Sequence, residues 1–423
     1  MRICRRSASS RCREVIPKRR CRFQRPVLPL LNGVRLDRFV GWAELFAYGL
    51  VGKGRDKELQ AMRVGLMIVP YHPMDTIRFG LSRAEELDVD SVWVPDHLLG
   101  VFHPALWSDM AGSTASADPD SWYDSFVCLG AIGQESELPM GTCVTDTARR
   151  RAADVARTAL TLHHICKGGF NLGLGAGEAE NLLPFGYDFS APVAVAEEFL
   201  IELRSLLDHG TMPTGALSGR LGIPSREGLG KPKVWVAGHG PRMLRLTGQY
   251  ADGWLPAWPM SPSIYAQRRA LIADHARRAG RSNPASGLFI PVIIGESRDY
   301  VAELMEKEPL AKLSALMCSA EVWAEHGMEH PSGPDSRGLV DLVIHEMDPG
   351  MLREVAPNIP FELVEEFTFI GNDEEVRERI APYREVGLEL VVLADTTGAV
   401  GGLGEIEANA GRFSTLVTAL GAT

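Results

Sequence analysis

No apolar run in this 423-residue chain approaches the ~20 residues that a helix needs to cross a bilayer, so no membrane-spanning segment is expected. Cysteine is sparse and unpatterned. Cys4, Cys12 and Cys21 fall in the N-terminal segment, and Cys128, Cys143, Cys166 and Cys318 are far apart in apolar surroundings, with no Cys-x-x-Cys pair and no Cys/His ligand set. That usage fits reduced thiols in a cytoplasmic protein and gives no reason to expect a metal. A nucleophile elbow is also missing, which leaves serine chemistry without support. The first apolar run is followed by Val69-Pro70-Tyr71-His72-Pro73, which lacks the glycines of a dinucleotide-binding turn. An open, doubly wound sheet with a nucleotide site at its first strand is therefore the weaker of two α/β architectures.

What is present is a large apolar fraction, 45% of residues, enough for a sizeable core. Charge is unevenly spread. Residues 1–61 hold 15 Lys+Arg against 5 Asp+Glu, and the remainder holds 29 against 49. The basic segment has no hydrophobic periodicity, and its Arg-Arg pairs are not followed by the apolar region of an export signal, so it is expected to be disordered. Strand-like sequence starts abruptly at Met62-Arg63-Val64-Gly65-Leu66, which suggests Met62 as the true start and residues 1–61 as a mis-joined extension; an intact-mass measurement on natively expressed protein checks this. A basic tail on an acidic body is weak ground for a nucleic-acid-binding arm, and no nucleic-acid partner is expected.

From Met62 onward strand-like runs alternate with helical patterns. The strands are expected at 64–69, 91–94, 140–145, 170–174, 233–237, 253–256, 289–294 and 388–393, with helices such as 76–86, 151–166, 193–207, 262–279 and 373–386 between them. Eight strand–helix units predict a parallel sheet closed into a (β/α)8 TIM barrel over residues 62–423. Two stretches exceed the minimal repeat: 209–230, rich in Gly, Pro and Ser, and 309–360, which holds Trp323, His326, His330 and His345. They are expected as long insertion loops over the C-terminal face, forming lids or pocket walls.

Catalytic groups on such barrels lie just past the C-terminal ends of strands. Trp93-Val94-Pro95-Asp96-His97 puts Asp96 and His97 there, and a histidine held in one orientation by a carboxylate suits acid–base work near neutral pH. A structural Asp beside a satisfied His is the other reading, and spacing does not separate them. In Gly173-Leu174-Gly175-Ala176-Gly177-Glu178, the glycines let a flat ring approach the backbone, or permit tight packing, while Glu178 projects a carboxylate into the mouth. Cys143-Val144-Thr145-Asp146 leads into Arg149-Arg150-Arg151, a cationic cluster suited to an anionic ligand, or a solvated charge run. Gly238-His239-Gly240-Pro241-Arg242 opens a helix whose free N–H groups suit a phosphate. His163 and His164 fall on an outer helix and are expected to be structural.

These motifs, with Ala251-Asp252-Gly253-Trp254, resemble the luciferase-like barrel superfamily and in particular its coenzyme F420 (deazaflavin)-dependent branch. Cys143-Val144-Thr145-Asp146, the Trp235–Arg245 segment and Glu329-His330-Pro331 look closest to the phthiodiolone dimycocerosates ketoreductases. The resemblance implies a homodimer in which a deazaflavin lies at the barrel mouth on a bulge made by a non-proline cis peptide, here Cys143-Val144. It implies that His97 is the proton donor or acceptor, that Asp96 and Glu178 flank it, and that Asn181 helps to fix the ring. Cys143, Val144, Thr145, Gly177 and Glu178 would border the ring, and Gly238, His239, Gly240 and Arg242 would lie near the phosphate-bearing tail. The sugar-phosphate dehydrogenases of this group carry a tryptophan shortly after the Asp-His pair, where this chain has Leu98-Leu99-Gly100-Val101. That departure argues for a hydrophobic or lipid-like ketone. The rivals are an FMN-dependent monooxygenase and a non-catalytic flavin- or lipid-binding barrel.

Overall fold

In the computed structural model, the described residues are 62–422, apart from 115, 214–216, 223–228 and 258–259. The expectations placed on residues 1–61 lie outside them. Strands β1 (Arg63–Met67), β2 (Ser91–Val94), β3 (Met140–Thr142), β4 (Thr145–Asp146), β5 (Phe170–Gly175), β6 (Lys233–Val236), β7 (Gly253–Trp254), β8 (Ala285–Ile294), β9 (Phe369–Gly371) and β10 (Leu390–Asp395) form one parallel sheet. β10 pairs with both β8 and β1, so the sheet closes into the expected (β/α)8 barrel. β3 and β4 both pair with β5 and act as one stave, interrupted at Cys143-Val144, whose peptide bond is cis.

Two features differ from the sequence expectation. β9 was not foreseen; its three residues pair with the upper end of β8 outside the ring. The 309–360 stretch is not loop but a series of short helical segments, Pro309–Met317, Ala320–Glu325 and Pro349–Val355 among them, and it buries its own apolar cluster around Trp323 and Leu352. A chain segment packed on a barrel end must bury apolar surface and pair its own backbone groups, and helical turns do both.

Strand starts are fixed by a repeated device. Asp90 accepts a hydrogen bond from Val64 N–H at 2.7 Å, and Asp252 accepts one from Val234 N–H at 2.9 Å. In each case an aspartate just before one strand pairs the first free donor of its neighbour. The helices turn one stripe inward: Met74–Glu86 buries Ile77, Leu81 and Ala84, at the spacing of one helix face.

The barrel interior is filled by Trp93 and Trp235, which meet edge to face with centroids 5.7 Å apart. Two indoles fit only because glycines face them. A Cβ on Gly253 would lie 2.2 Å from the Trp235 ring, and one on Gly65 or Gly141 would lie 2.7 Å from Trp93. Gly253→Ala is therefore expected to destabilise by roughly 2–3 kcal/mol through overpacking, lowering the melting temperature by a few degrees in a thermal scan. At Gly240, the N-cap of the helix Pro241–Tyr250, a Cβ meets nothing within 4 Å, so Gly240→Ala should lose only the better cap and cost about 0.5–1 kcal/mol.

Candidate active site

The C-terminal ends of β2, β4, β5 and β6 meet at one mouth. Past β2, Asp96 turns inward and is buried. Its Oδ2 accepts hydrogen bonds from Thr145 Oγ1 at 2.6 Å, Arg149 Nη2 at 2.9 Å and Arg150 Nη1 at 2.6 Å. Burial pushes its proton affinity up, but the two guanidiniums outweigh that and hold the carboxyl below the ordinary range. Arg149 also pairs with Asp146, and Arg150 with Asp124 at 2.9 Å. This corrects the expectation of a cationic cluster offered to an anionic ligand: Arg149 and Arg150 are held by the protein's own acids.

His97 follows, with its Nε2 3.6 Å from Glu178 Oε2. Its Nδ1 is buried and has no hydrogen-bond partner among the described residues. Burial raises the proton affinity of Glu178, with Asp146 adding to it and His97 opposing, so the carboxyl holds its proton above the usual carboxylate range. Asn181 joins the two sides: its Oδ1 accepts from Leu98 N–H at 2.7 Å and its Nδ2 lies 3.4 Å from Glu178 Oε2. Asn181 thus holds the His97 loop against Glu178, and it also borders the groove at this mouth.

Two cavities meet at this pair. A groove of about 480 Å³ is bordered by Val144, Thr145, Gly175, Gly177, Asn181, Gly240 and Arg242. A second cavity of about 220 Å³ runs under the 309–360 insertion and is walled by Phe102, Trp122, Phe289, Met317 and Leu339. His97, Val144, Glu178 and Ala257 line both. Cys143 borders only the apolar cavity among these two.

The β6 motif is divided. Gly240 caps the helix Pro241–Tyr250, and Arg242, half-exposed, is held by Glu197 at 2.7 Å. Gly238 faces away from the groove; its carbonyl accepts from Trp254 Nε1 at 2.8 Å. His239 sits between Ala257 N–H and Arg268, and burial together with Arg268 pushes its pKa down to about 3, which keeps it neutral. His163 Nδ1 pairs with Phe170 N–H at 3.1 Å, as a structural histidine would.

Sequence reasoning passed over several residues. Trp122 lies 5.2 Å from the His97 ring and supplies, from a loop further along, the aromatic wall that is missing just after the Asp-His pair. Its signal was an irregular stretch rich in aspartate and aromatics. His326 and His330 have a spacing that on a helix can hold a metal, but Gly327 at φ 74° breaks the turn and His330 Nε2 faces Leu316 C=O at 3.2 Å. No cluster able to hold a metal is found among the described residues.

The Asp96 knot yields a pH-dependent prediction. A carboxyl held below its unfolded value stabilises the fold at neutral pH, and that contribution is lost as pH falls through the folded-state value. Asp96→Asn should cost about 3–5 kcal/mol at neutral pH, and the gap to the wild type should narrow below about pH 4. Urea unfolding across a pH series measures both.

The sequence profile described as luciferase-like monooxygenase matches residues 62–390. The phthiodiolone/phenolphthiodiolone dimycocerosates ketoreductase of Mycobacterium tuberculosis is 37% identical over 332 residues, 75% of this chain and 86% of its own length. The 5,10-methylenetetrahydromethanopterin reductase of Methanolobus tindarius is 22% identical over 339 residues, 80% of this chain and 95% of its own. An F420-dependent secondary alcohol dehydrogenase solved with an F420-acetone adduct superposes with a TM-score of 0.63 at 20% identity, covering 85% of this chain and 99% of that one, a likeness of fold. No helix among the described residues is long and apolar enough to cross a membrane. With its family profile matched over most of its length and the barrel closed, the chain belongs to the luciferase-like monooxygenase family and is an oxidoreductase.

Proposed function

We propose that this chain is an F420-dependent oxidoreductase that transfers a hydride between reduced deazaflavin and the carbonyl carbon of a hydrophobic, lipid-like ketone, or runs the reverse reaction on an alcohol. One observation carries the reading. The His97–Glu178 pair lies where a glycine-floored groove opens into an apolar cavity, so a flat cofactor and an apolar substrate can each reach it. The ketoreductase and reductase relatives support carbonyl or related hydride chemistry.

The residues present fit such a cofactor. A Cβ on Gly175 would crowd Val144 at 3.2 Å, and Gly177 has φ 102°, so side chains are kept off the groove floor. Val144, Thr145, Gly177, Glu178 and Asn181 would hold the ring end, and Cys143 would border it from the side of the apolar cavity. His239, Gly240, the first turn of the helix Pro241–Tyr250 and Arg242 would face the anionic tail, where free N–H groups favour negative charge; Gly238 would support that turn from behind. When bound, the deazaflavin supplies the hydride. His97 Nε2 gives its proton to the substrate oxygen, and Glu178, whose proton affinity burial raises above that of an ordinary carboxylate, is placed to return one to Nε2. Asp96 acts as a positioning residue, fixing the backbone from which His97 projects. The walls at Phe102, Trp122 and Met317 exclude water from the reacting atoms.

Titration of the protein with oxidised F420 and, separately, FMN, followed by tryptophan fluorescence, tests the cofactor. Micromolar F420 binding without an FMN response is expected, while preference for FMN moves the assignment to an FMN-dependent monooxygenase. His97→Ala should lower turnover of hydrophobic ketones by about 10²–10⁴-fold and leave cofactor affinity within a few fold. Unchanged turnover removes His97 from the chemistry.

A further inference from the structure

An imidazole that donates a proton from one nitrogen is ordinarily held by a hydrogen bond at the other, which fixes the ring about its Cβ–Cγ bond. His97 lacks that bond. Its Nε2 lies 3.6 Å from Glu178, and its buried Nδ1 has no hydrogen-bond partner among the described residues. What lies against the ring instead is the indole of Trp122, with centroids 5.2 Å apart and planes 31° from parallel. The set of the imidazole therefore depends on where Trp122 is put.

That placement runs through one carboxylate. Trp122 sits on a turn closed by its own polar groups, since its N–H donates to Asp120 C=O at 2.8 Å and its Nε1 donates to Pro119 C=O at 2.7 Å. Asp120 ties this turn to the chain just past His97, because its Oδ1 accepts from Gly100 N–H at 2.7 Å. The two segments touch so closely that a Cβ on Gly100 would lie 2.2 Å from the Pro119 carbonyl oxygen. From the other side, His345 of the 309–360 insertion brings Nε2 to 3.0 and 3.1 Å from the two Asp120 oxygens. His345 Nδ1 is buried without a hydrogen bond among the described residues, so Asp120 is the polar anchor of that ring. The insertion is seated by other contacts as well: its apolar cluster includes Leu106 and Ile293 of the barrel, and Arg353 pairs with Asp109 at 2.5 Å. The His345–Asp120 contact is thus available for aim rather than for attachment.

We propose that Asp120 and His345 are positioning residues for His97, acting through Trp122. Asp120 holds the indole and the chain past His97 in one register, and His345 fixes the carboxylate to which both are tied. Geometry at the mouth then depends on an insertion residue that lines neither cavity. Misplacement of a reacting group by about 1 Å can cost about 10²-fold in rate. The effect on turnover rests on the reading of His97 as proton donor, and the effect on the ring does not.

Asp120→Ala and His345→Leu remove the contact, and His345→Gln restores an N–H donor where Nε2–H stood. Carbon-13 labelling of histidine at Cε1 reports the rings in the cofactor-free full chain, and the signal lost in His97→Gln is that of His97. In the wild type the ring current of Trp122 is expected to displace this signal from the free-histidine position, and Trp122→Leu gives the position without it. D120A and H345L should move the signal toward that of W122L, while H345Q keeps it near the wild type. In ketone turnover, kcat should fall by about 10–10²-fold in D120A and H345L, by more than KM changes, and recover in H345Q. A His97 signal unmoved in D120A and H345L overturns the proposal, as does wild-type kcat in both or an H345Q that behaves like H345L. If D120A does not fold, H345L and H345Q alone decide. Failure of the deazaflavin reading appears separately, as absent F420 binding by the wild type; the spectra need no cofactor, and turnover is then compared with whichever cofactor binds.

Discussion

A carboxylate taken out of water must be met by charge, and at Asp96 that requirement organises the whole mouth of the barrel. Its oxygens draw in Thr145 from β4, just past the split stave, and Arg149 and Arg150 from the turn that follows. Arg149 also donates to the Asp96 carbonyl, so the backbone immediately before His97 is tied to the same guanidinium. Asp124 and Asp146 complete the pairing and leave no bare buried cation. A buried ion network of this kind contributes little net stability compared with apolar packing, but it tolerates few alternative arrangements. Its value here is positional, since His97 inherits a fixed origin from which to meet Glu178.

The opposite side of the mouth is built by a different rule. β5 ends at Gly175; past Ala176 and Gly177, Glu178 caps the helix Ala179–Leu182, which carries Glu180 and Asn181 and is too short to hold itself together. What fixes that helix is the hydrogen bond from Leu98 N–H to Asn181, which couples it to the His97 loop. His97 and Glu178 are therefore held to one another as well as to the barrel, and the 3.6 Å between them is a constrained distance.

Much of this was legible in the sequence because parallel strands buried on both faces read as apolar runs, and all eight staves were found that way. The Asp96-His97 pair was legible for a related reason: polar residues at the end of a buried run have to face the mouth. Other features left no local trace. β9 is three residues long, below the length at which alternation or apolarity means anything. Arg149 and Arg150 look like a solvated cluster until Asp96, 53 and 54 residues away, is brought against them. Trp122 and His345 reach the site from irregular stretches, and Asp120 and His345 are separated by 225 residues. A pairing across that separation is a product of the closed barrel and its insertion, and no window of sequence contains it.

The apolar walls and the buried acids are one design rather than two. Phe102, Trp122, Met317 and Leu339 line a largely apolar cavity, and in doing so they lower the local dielectric around Glu178. Low dielectric favours the neutral form of a carboxyl, so the same apolar surroundings raise the proton affinity of Glu178 and Glu180. The 309–360 insertion serves both ends of this arrangement: Met317 and Leu339 wall the cavity while His345 faces Glu180. The polarity of the cavity and the proton affinity of these acids are consequently linked through the insertion, and opening the cavity to water would also loosen their hold on their protons.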